Sequence, residues 1–362
     1  MRQQVNPFAQ SLSPCAPGTP TEESARELSI RNPVHLASNE NPRGAGDRVQ
    51  SGIRSPLGTL SRYPDPFGLG LKRSLAARLG VDADQITLGN GSNEVLDLAT
   101  RAILVPESEA IVDQTCFMLY PMLVAAAGGK FVRVASRDWG HDLPEMLNRV
   151  TDATRMVFIA NPNNPTGTWI HERNLRIFLR TISERVWVVL DEAYFEYAAP
   201  MDGYESGVGW ISEFPNLVVT RTFSKIHGLA GMRIGYSVSS PGFADLLNRV
   251  RPPFNVSRLG LAAAEAAICE DEFIKESETL NRSGMQRVRS ELANLGYETL
   301  CSAGNFVTMR CQQPALSVYE RLLARGVIVR PVASCGMPDH LRVTIGLPEE
   351  NERFLDALAT IQ

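Results

Sequence analysis

Long apolar runs are missing from this chain, and none approaches the roughly twenty residues that a membrane-spanning helix requires. The N-terminus, MRQQVNPFAQSLSPC, also lacks the hydrophobic core of an export signal. Positive charge is not in excess: 36 Lys and Arg against 40 Asp and Glu leave a net charge of -4 and a pI near 5.8. Such a balance leaves no basic footprint for nucleic acid. The cysteines Cys15, Cys116, Cys269, Cys301, Cys311 and Cys335 never form a C-x-x-C pair, which argues against a zinc cage or a disulfide scaffold. The five histidines show no H-E-x-x-H spacing. These absences predict a metal-free cytoplasmic protein.

What is present is a soluble composition, with 44% hydrophobic and 21% charged residues over 362 positions. That length predicts two domains. The first stretch is rich in Pro, Ser and Thr and reads as an arm, residues 1–45. From Ile86 to Ser239, short apolar runs alternate with helix-like segments: ITL (86–88), AIV (110–112), MVFIA (156–160), VWVVL (186–190), LVVT (217–220) and IGYSV (234–238). Unalternated β-branched runs of this kind suit strands buried on both faces of a mostly parallel sheet between helices. A large α/β domain over 46–250 follows from this. After the Pro252–Pro253 pair the pattern shifts to longer helices and scattered strands, predicting a smaller α+β domain over 251–362.

In parallel sheets, ligands gather at the carboxyl ends of the strands, and four runs end there in reactive sequence. ITLGNGSNEVLDL has a glycine turn before a helix that Ser92 or Asn93 can cap, leaving backbone N–H groups for a phosphate. MVFIANPNNPTG sets Asn164 in a turn with Asn163, Pro165 and Gly167. VWVVLDEAYFEY places Asp191 and Glu192 after apolar residues, where a carboxylate needs a cationic partner, with Tyr194 a donor three residues on. LVVTRTFSKIHGLAGMRIGY puts one lysine, Lys225, among small and hydroxyl residues, with Arg233 eight residues later; a desolvated lysine is a nucleophile. Singly, each reads equally as a helix cap, a surface turn, a paired acid or a solvent-facing lysine. Jointly they meet the needs of pyridoxal phosphate: a Schiff-base lysine, an acid for the pyridinium nitrogen, donors for the phenolic oxygen, and a phosphate cup closed by Thr222, Ser224 and Arg233.

The stretches LASNENPRG (36–44), RYPDP (62–66), LGNGSNEVL (88–96), FIANPNNPTGTW (158–169), VVLDEAYFEY (188–197), TFSKIHGLAGMRIGY (222–236), GVIVRPV (326–332) and HLRVTIGLPEENERFL (340–355) resemble the class II fold-type-I pyridoxal-phosphate aminotransferases, nearest to the histidinol-phosphate aminotransferases. The resemblance implies that Lys225 is the covalent anchor and proton shuttle and that Asp191 pairs with the ring nitrogen. Asn164 and Tyr194 would hold the ring oxygen, and Phe117 would stack on the ring. Ser92, Asn93, Thr222, Ser224 and Arg233 would bind the phosphate. Tyr63 would reach that phosphate from a partner subunit, implying a homodimer. Asn39, Arg330 and Arg342 would meet the substrate, an amine or amino acid that exchanges its amino group with a 2-oxo acid. The histidine-biosynthesis reaction with 2-oxoglutarate is the expected activity. A transaminase for aromatic amino acids or a specialised amine, and a decarboxylase of the threonine-phosphate type, are the alternatives. Four positions depart from the family pattern: Cys15 and Cys335 stand where tyrosines are usual, Thr19 replaces a lysine, and His227 replaces an aromatic ring.

Overall fold

The computed structural model describes Phe8, Gln10, Leu12 and residues 32–361. Cys15 and Thr19, two of the departures, lie outside the described residues. Twelve strands occur among those described: β1 (Val34–His35), β2 (Ile86–Gly89), β3 (Glu109–Asp113), β4 (Lys130–Val134), β5 (Thr154–Ala160), β6 (Trp187–Asp191), β7 (Leu217–Thr222), β8 (Gly235–Val238), β9 (Phe306–Arg310), β10 (Val327–Ile328), β11 (Arg330–Pro331) and β12 (His340–Thr344).

Seven of them form one sheet in the order β2-β8-β7-β6-β5-β3-β4. All its pairings are parallel except those of β8, which runs antiparallel to both neighbours. The apolar runs sit where their composition demands: Val188, Val189 and Leu190 alternate between opposite faces, yet all are fully buried. The helices Ser92–Ile103, Leu119–Ala126, Glu172–Thr181 and Pro241–Val250 cover the sheet. Strand β4, with the sequence KFVRV, is the one sheet strand that the pattern of apolar runs leaves unmarked. It is an edge strand whose Lys130, Phe131 and Arg133 face solvent, so its alternation is too polar for a buried run.

A second, antiparallel sheet runs β11-β12-β9, and β1 pairs parallel with β10. Its core gathers Val34 and Leu36 from the arm with Met285, Val307, Val343 and Phe354. The helix Arg258–Ala267 lies beyond the divide expected at Pro252–Pro253. Even so, Leu261, Ala263, Ala264 and Ala267 are buried in the core of the large sheet, beside Leu71 and Ile86. We propose that the smaller unit begins within the following helix, Asp271–Asn294, whose 24 residues extend about 36 Å. No described helix is long and apolar enough to cross a membrane.

Candidate active site

The carboxyl ends of β5, β6 and β7, which are neighbours in the sheet, open onto a cavity of about 490 Å³. Its wall includes Ser38, Asn39, Ser92, Asn93, Phe117, Asn164, Asp191, Tyr194, Thr222, Ser224, Lys225, Arg233, Arg330, Cys335 and Arg342. The fold therefore brings together every predicted site residue but one. Tyr63 is 77% exposed, stacks on Phe254 at 4.6 Å between ring centres and does not line the cavity of its own chain.

Lys225 lies three residues past the end of β7. Its Nζ donates to the carbonyl of Ser38 at 3.0 Å and stands 5.7 Å from the centre of the Tyr194 ring. Burial pushes its pKa down to about 7, and the positive charges of Arg342 and Arg233 push the same way against Glu40 and Asp191. An ammonium loses its proton more readily where water is excluded and cations are near. Near neutral pH a large share of this amine is consequently unprotonated.

Asp191 ends β6 and is buried. Its Oδ2 accepts from the hydroxyl of Tyr120 at 2.7 Å and its Oδ1 from that of Thr220 at 3.1 Å. Burial raises its pKa, and these two hydrogen bonds oppose the rise. Tyr120 is a functional residue that the sequence reading missed. It sits three residues after Phe117, at the start of the helix Leu119–Ala126, and its ring stacks on Phe158 at 4.7 Å and meets Phe117 edge-on at 5.7 Å. The i, i+3 spacing of the two rings was the available signal.

Asn164 bridges two groups. Its Nδ2 donates to the Tyr194 hydroxyl at 3.3 Å, and its Oδ1 accepts from Arg342 Nη1 at 2.6 Å. Asn39 Nδ2 also donates to the Tyr194 hydroxyl, at 2.9 Å. Burial raises the Tyr194 pKa, so the phenol keeps its proton at neutral pH and has it to donate. Arg342 is held a second time by the carbonyl of Ala37 at 2.6 Å, while its buried Nε has no partner among the described residues. Arg330 pairs in register with Arg342 across β11 and β12. Among the described residues neither arginine has a carboxylate in ion-pair contact.

At the other end of the cavity, Ser224 Oγ accepts from Thr222 Oγ1 at 2.9 Å and from Arg233 Nη1 at 3.3 Å. The expectation that Ser92 or Asn93 caps its helix is corrected. The cap is Gly91, at φ 79°, and Ser92 and Asn93 lie in the first turn with no side-chain capping bond. The reason is spatial: a Cβ on Gly91 would collide with the Arg233 guanidinium, so only glycine lets the turn and the arginine approach. The result is a pocket of helical N–H groups, hydroxyls and a guanidinium, which suits a phosphate.

The two described departures separate. Cys335 lines the cavity. His227 does not line it and is buried, with Nε2 3.7 Å from Glu196 and its ring 4.8 Å from Phe223. Its backbone turns there because Gly228, at φ 67°, packs against the backbone of Gly44, too close for any Cβ. Beneath the site a further buried pair, Arg221 and Glu192 at 2.9 Å, is completed by Ser206 and the backbone of Gly207.

Pyridoxal phosphate, the group implied by the sequence, fits these residues. Asp191 is a buried acid without an ion pair among the described residues, the phosphate pocket offers helical N–H groups with no side-chain cap, and a lysine of lowered pKa lines the same cavity.

Comparison with known proteins agrees. The model of the family "Aminotransferase class I and II" matches residues 31–358. The chain is 50% identical over 359 residues to histidinol-phosphate aminotransferase 2 of Pseudomonas fluorescens, covering 99% of this chain and 97% of that one. It is 49% identical over 352 residues to histidinol-phosphate aminotransferase 1 of Nitrosococcus oceani, covering 97% and 95%. Among solved structures, the histidinol-phosphate aminotransferase of Sinorhizobium meliloti in complex with pyridoxal-5'-phosphate superposes with a TM-score of 0.92 at 30% identity, covering 99% of both chains. With its sheet, its cavity and nearly all of its length accounted for in this way, the chain belongs to the aminotransferase class I and II family.

Proposed function

We propose that the protein is a pyridoxal-phosphate-dependent aminotransferase that exchanges an amino group between histidinol phosphate and 2-oxoglutarate. The observation that carries this reading is the convergence on one cavity of Lys225, Asp191 and two arginines, Arg330 and Arg342, that have no carboxylate partner among the described residues. When bound, the coenzyme supplies an aldehyde that takes up the amino group and a ring that withdraws electrons from the substrate's Cα.

The chain's own residues do the rest. Asp191, oriented by Tyr120 and Thr220, would keep the ring nitrogen protonated. Tyr194, supported by Asn39 and Asn164, donates to the ring oxygen. Ser92 and Asn93, with Thr222, Ser224 and Arg233, hold the phosphate, so the ring cannot swing. Phe117, which lines the cavity, would cover one face of the ring. Lys225, whose amine has its pKa pushed down to about 7, would be the residue that anchors the coenzyme and, once released from it, the general base placed to take a proton from the substrate's Cα. Arg342 and Arg330 orient the phosphate end of the amine or the carboxylates of the oxo acid, one after the other, in the same place.

Tyr63 completes the phosphate pocket of a second copy. This is supported by its exposure, by its stacking on the exposed Phe254, and by the exposed apolar residues that flank it in sequence, Leu57, Leu60, Phe67 and Leu69. The experiment is a half-reaction screen. Histidinol phosphate and glutamate should each convert the yellow form to the colourless amine form, and 2-oxoglutarate should reverse it. Conversion by aromatic amino acids but not by histidinol phosphate would overturn the substrate; carbon dioxide release without oxo product would overturn the reaction.

A further inference from the structure

The charges around the cavity are unequal. Arg233, Arg330 and Arg342 contribute positive groups, as does Lys225 when protonated, and its wall holds only two acids among the described residues, Asp191 and Glu40. Asp191 is buried and bonded to Tyr120 and Thr220. Glu40 is exposed, and its carboxylate has no hydrogen bond or ion pair among the described residues. Its backbone is nevertheless fixed. Asn305 Nδ2 donates to the Glu40 carbonyl at 3.3 Å, and the preceding residue, Asn39, sits at φ 55° with its N–H on Thr344 Oγ1 at 2.9 Å. Two residues before Glu40 lies Ser38, whose carbonyl receives the Lys225 amine. Glu40 also lines the adjoining cavity of about 350 Å³, so it stands where the two spaces meet.

A substrate amine arrives as a cation and must enter a space crowded with cations. We propose that Glu40 receives the ammonium group of the amino donor at the cavity mouth and guides it to Lys225, while the donor's anionic end goes to Arg330 and Arg342. This rests on the aminotransferase reading above and gives the site a polarity: one carboxylate without an ion pair for the positive end of the donor, and two guanidiniums without a carboxylate partner among the described residues for its negative end. The oxo-acid acceptor, which carries no ammonium, has no use for Glu40 and is repelled by it. A charge in this position chiefly affects encounter and binding, with a marked dependence on salt.

The test is Glu40→Gln, which keeps the shape and removes the charge, with Glu40→Asp as the conservative variant. In Glu40→Gln the KM for the amine rises about tenfold at low salt and loses much of its salt dependence, while the KM for 2-oxoglutarate stays level or falls. Glu40→Asp recovers most of the loss. A second readout needs neither coenzyme nor turnover: the pH dependence of Lys225 acetylation in the coenzyme-free protein, followed by mass spectrometry. Glu40 favours the charged amine, so its neutralisation moves the midpoint to lower pH. An unchanged amine KM in Glu40→Gln overturns the assignment, as does an equal rise in both KM values with an unmoved midpoint, which would mark a structural role. Wild-type protein that converts no amine removes the proposed function and Glu40's part with it. Wild-type that converts amines while Glu40→Gln matches it removes Glu40's part alone.

Discussion

Replacing Tyr120 with Phe takes one oxygen atom out of the protein and leaves the ring stacked on Phe158 and edge-on to Phe117. No cavity wider than a hydroxyl results, so packing changes little. What disappears is the 2.7 Å hydrogen bond to Asp191 Oδ2, leaving Thr220 and the backbone as the carboxylate's support. A hydrogen bond to a charged group contributes about 1.5–3 kcal/mol. Its loss raises the proton affinity of Asp191, which burial has already raised. A carboxylate that holds a proton more strongly draws it from the ring nitrogen and weakens the ring's pull on Cα. The half-reaction rate with a saturating amine should fall roughly 10- to 150-fold, with the KM for the amine nearly unchanged. Stopped-flow absorbance measures both. A rate within twofold of wild type would refute the argument that Tyr120 keeps Asp191 ionised.

The same residue gives a pH prediction. A carboxyl whose pKa is raised by folding makes the fold less stable as pH climbs from the ordinary carboxylate range through the raised value. Tyr120→Phe should therefore destabilise the coenzyme-free protein more at pH 7 than at pH 4, read from urea midpoints. Lys225 should be acetylated readily at pH 7.5 and slowly at pH 6, its amine being protonated below about 7; Lys130, exposed and paired with Glu107, provides the contrast, and equal rates would contradict the lowered value. Gly91→Ala should displace Arg233 and weaken coenzyme binding at least tenfold without unfolding the chain, because one guanidinium–phosphate contact contributes about 1.5–3 kcal/mol; equilibrium dialysis with coenzyme checks it. Glu192→Gln leaves Arg221 buried without its countercharge and should cost about 3–5 kcal/mol of stability, seen as a lower thermal midpoint.

The large sheet was readable because strands buried on both faces leave uninterrupted β-branched runs, and the site was readable because it sits where those runs stop. Lys225, Asp191 and Asn164 each stand within a few residues of such a stop. Tyr120 was not readable in the same way. Its ring lies inside an apolar helix, LYPMLVAA, and its role exists only because Asp191, 71 residues later, is brought to its hydroxyl. The edge strand β4 was hidden by its own solvent-facing charges. The helix Arg258–Ala267 followed a proline pair that looked like a boundary. Small alanine side chains let it pack closely against the large core, and composition alone does not tell which of two cores such a helix will join.

Asn164 is a single planar amide with a different neighbour at each end: the Tyr194 hydroxyl at its nitrogen and the Arg342 guanidinium at its oxygen. Anything that draws Arg342 away must release that oxygen, and the amide then settles differently against the phenol. Events at the anion end of the cavity and events beside the coenzyme ring are thus linked through one rigid group. Such a linkage acts equally in both directions: if an anion at the arginine tightens the hold on the ring, the occupied ring site must tighten the hold on the anion by the same factor.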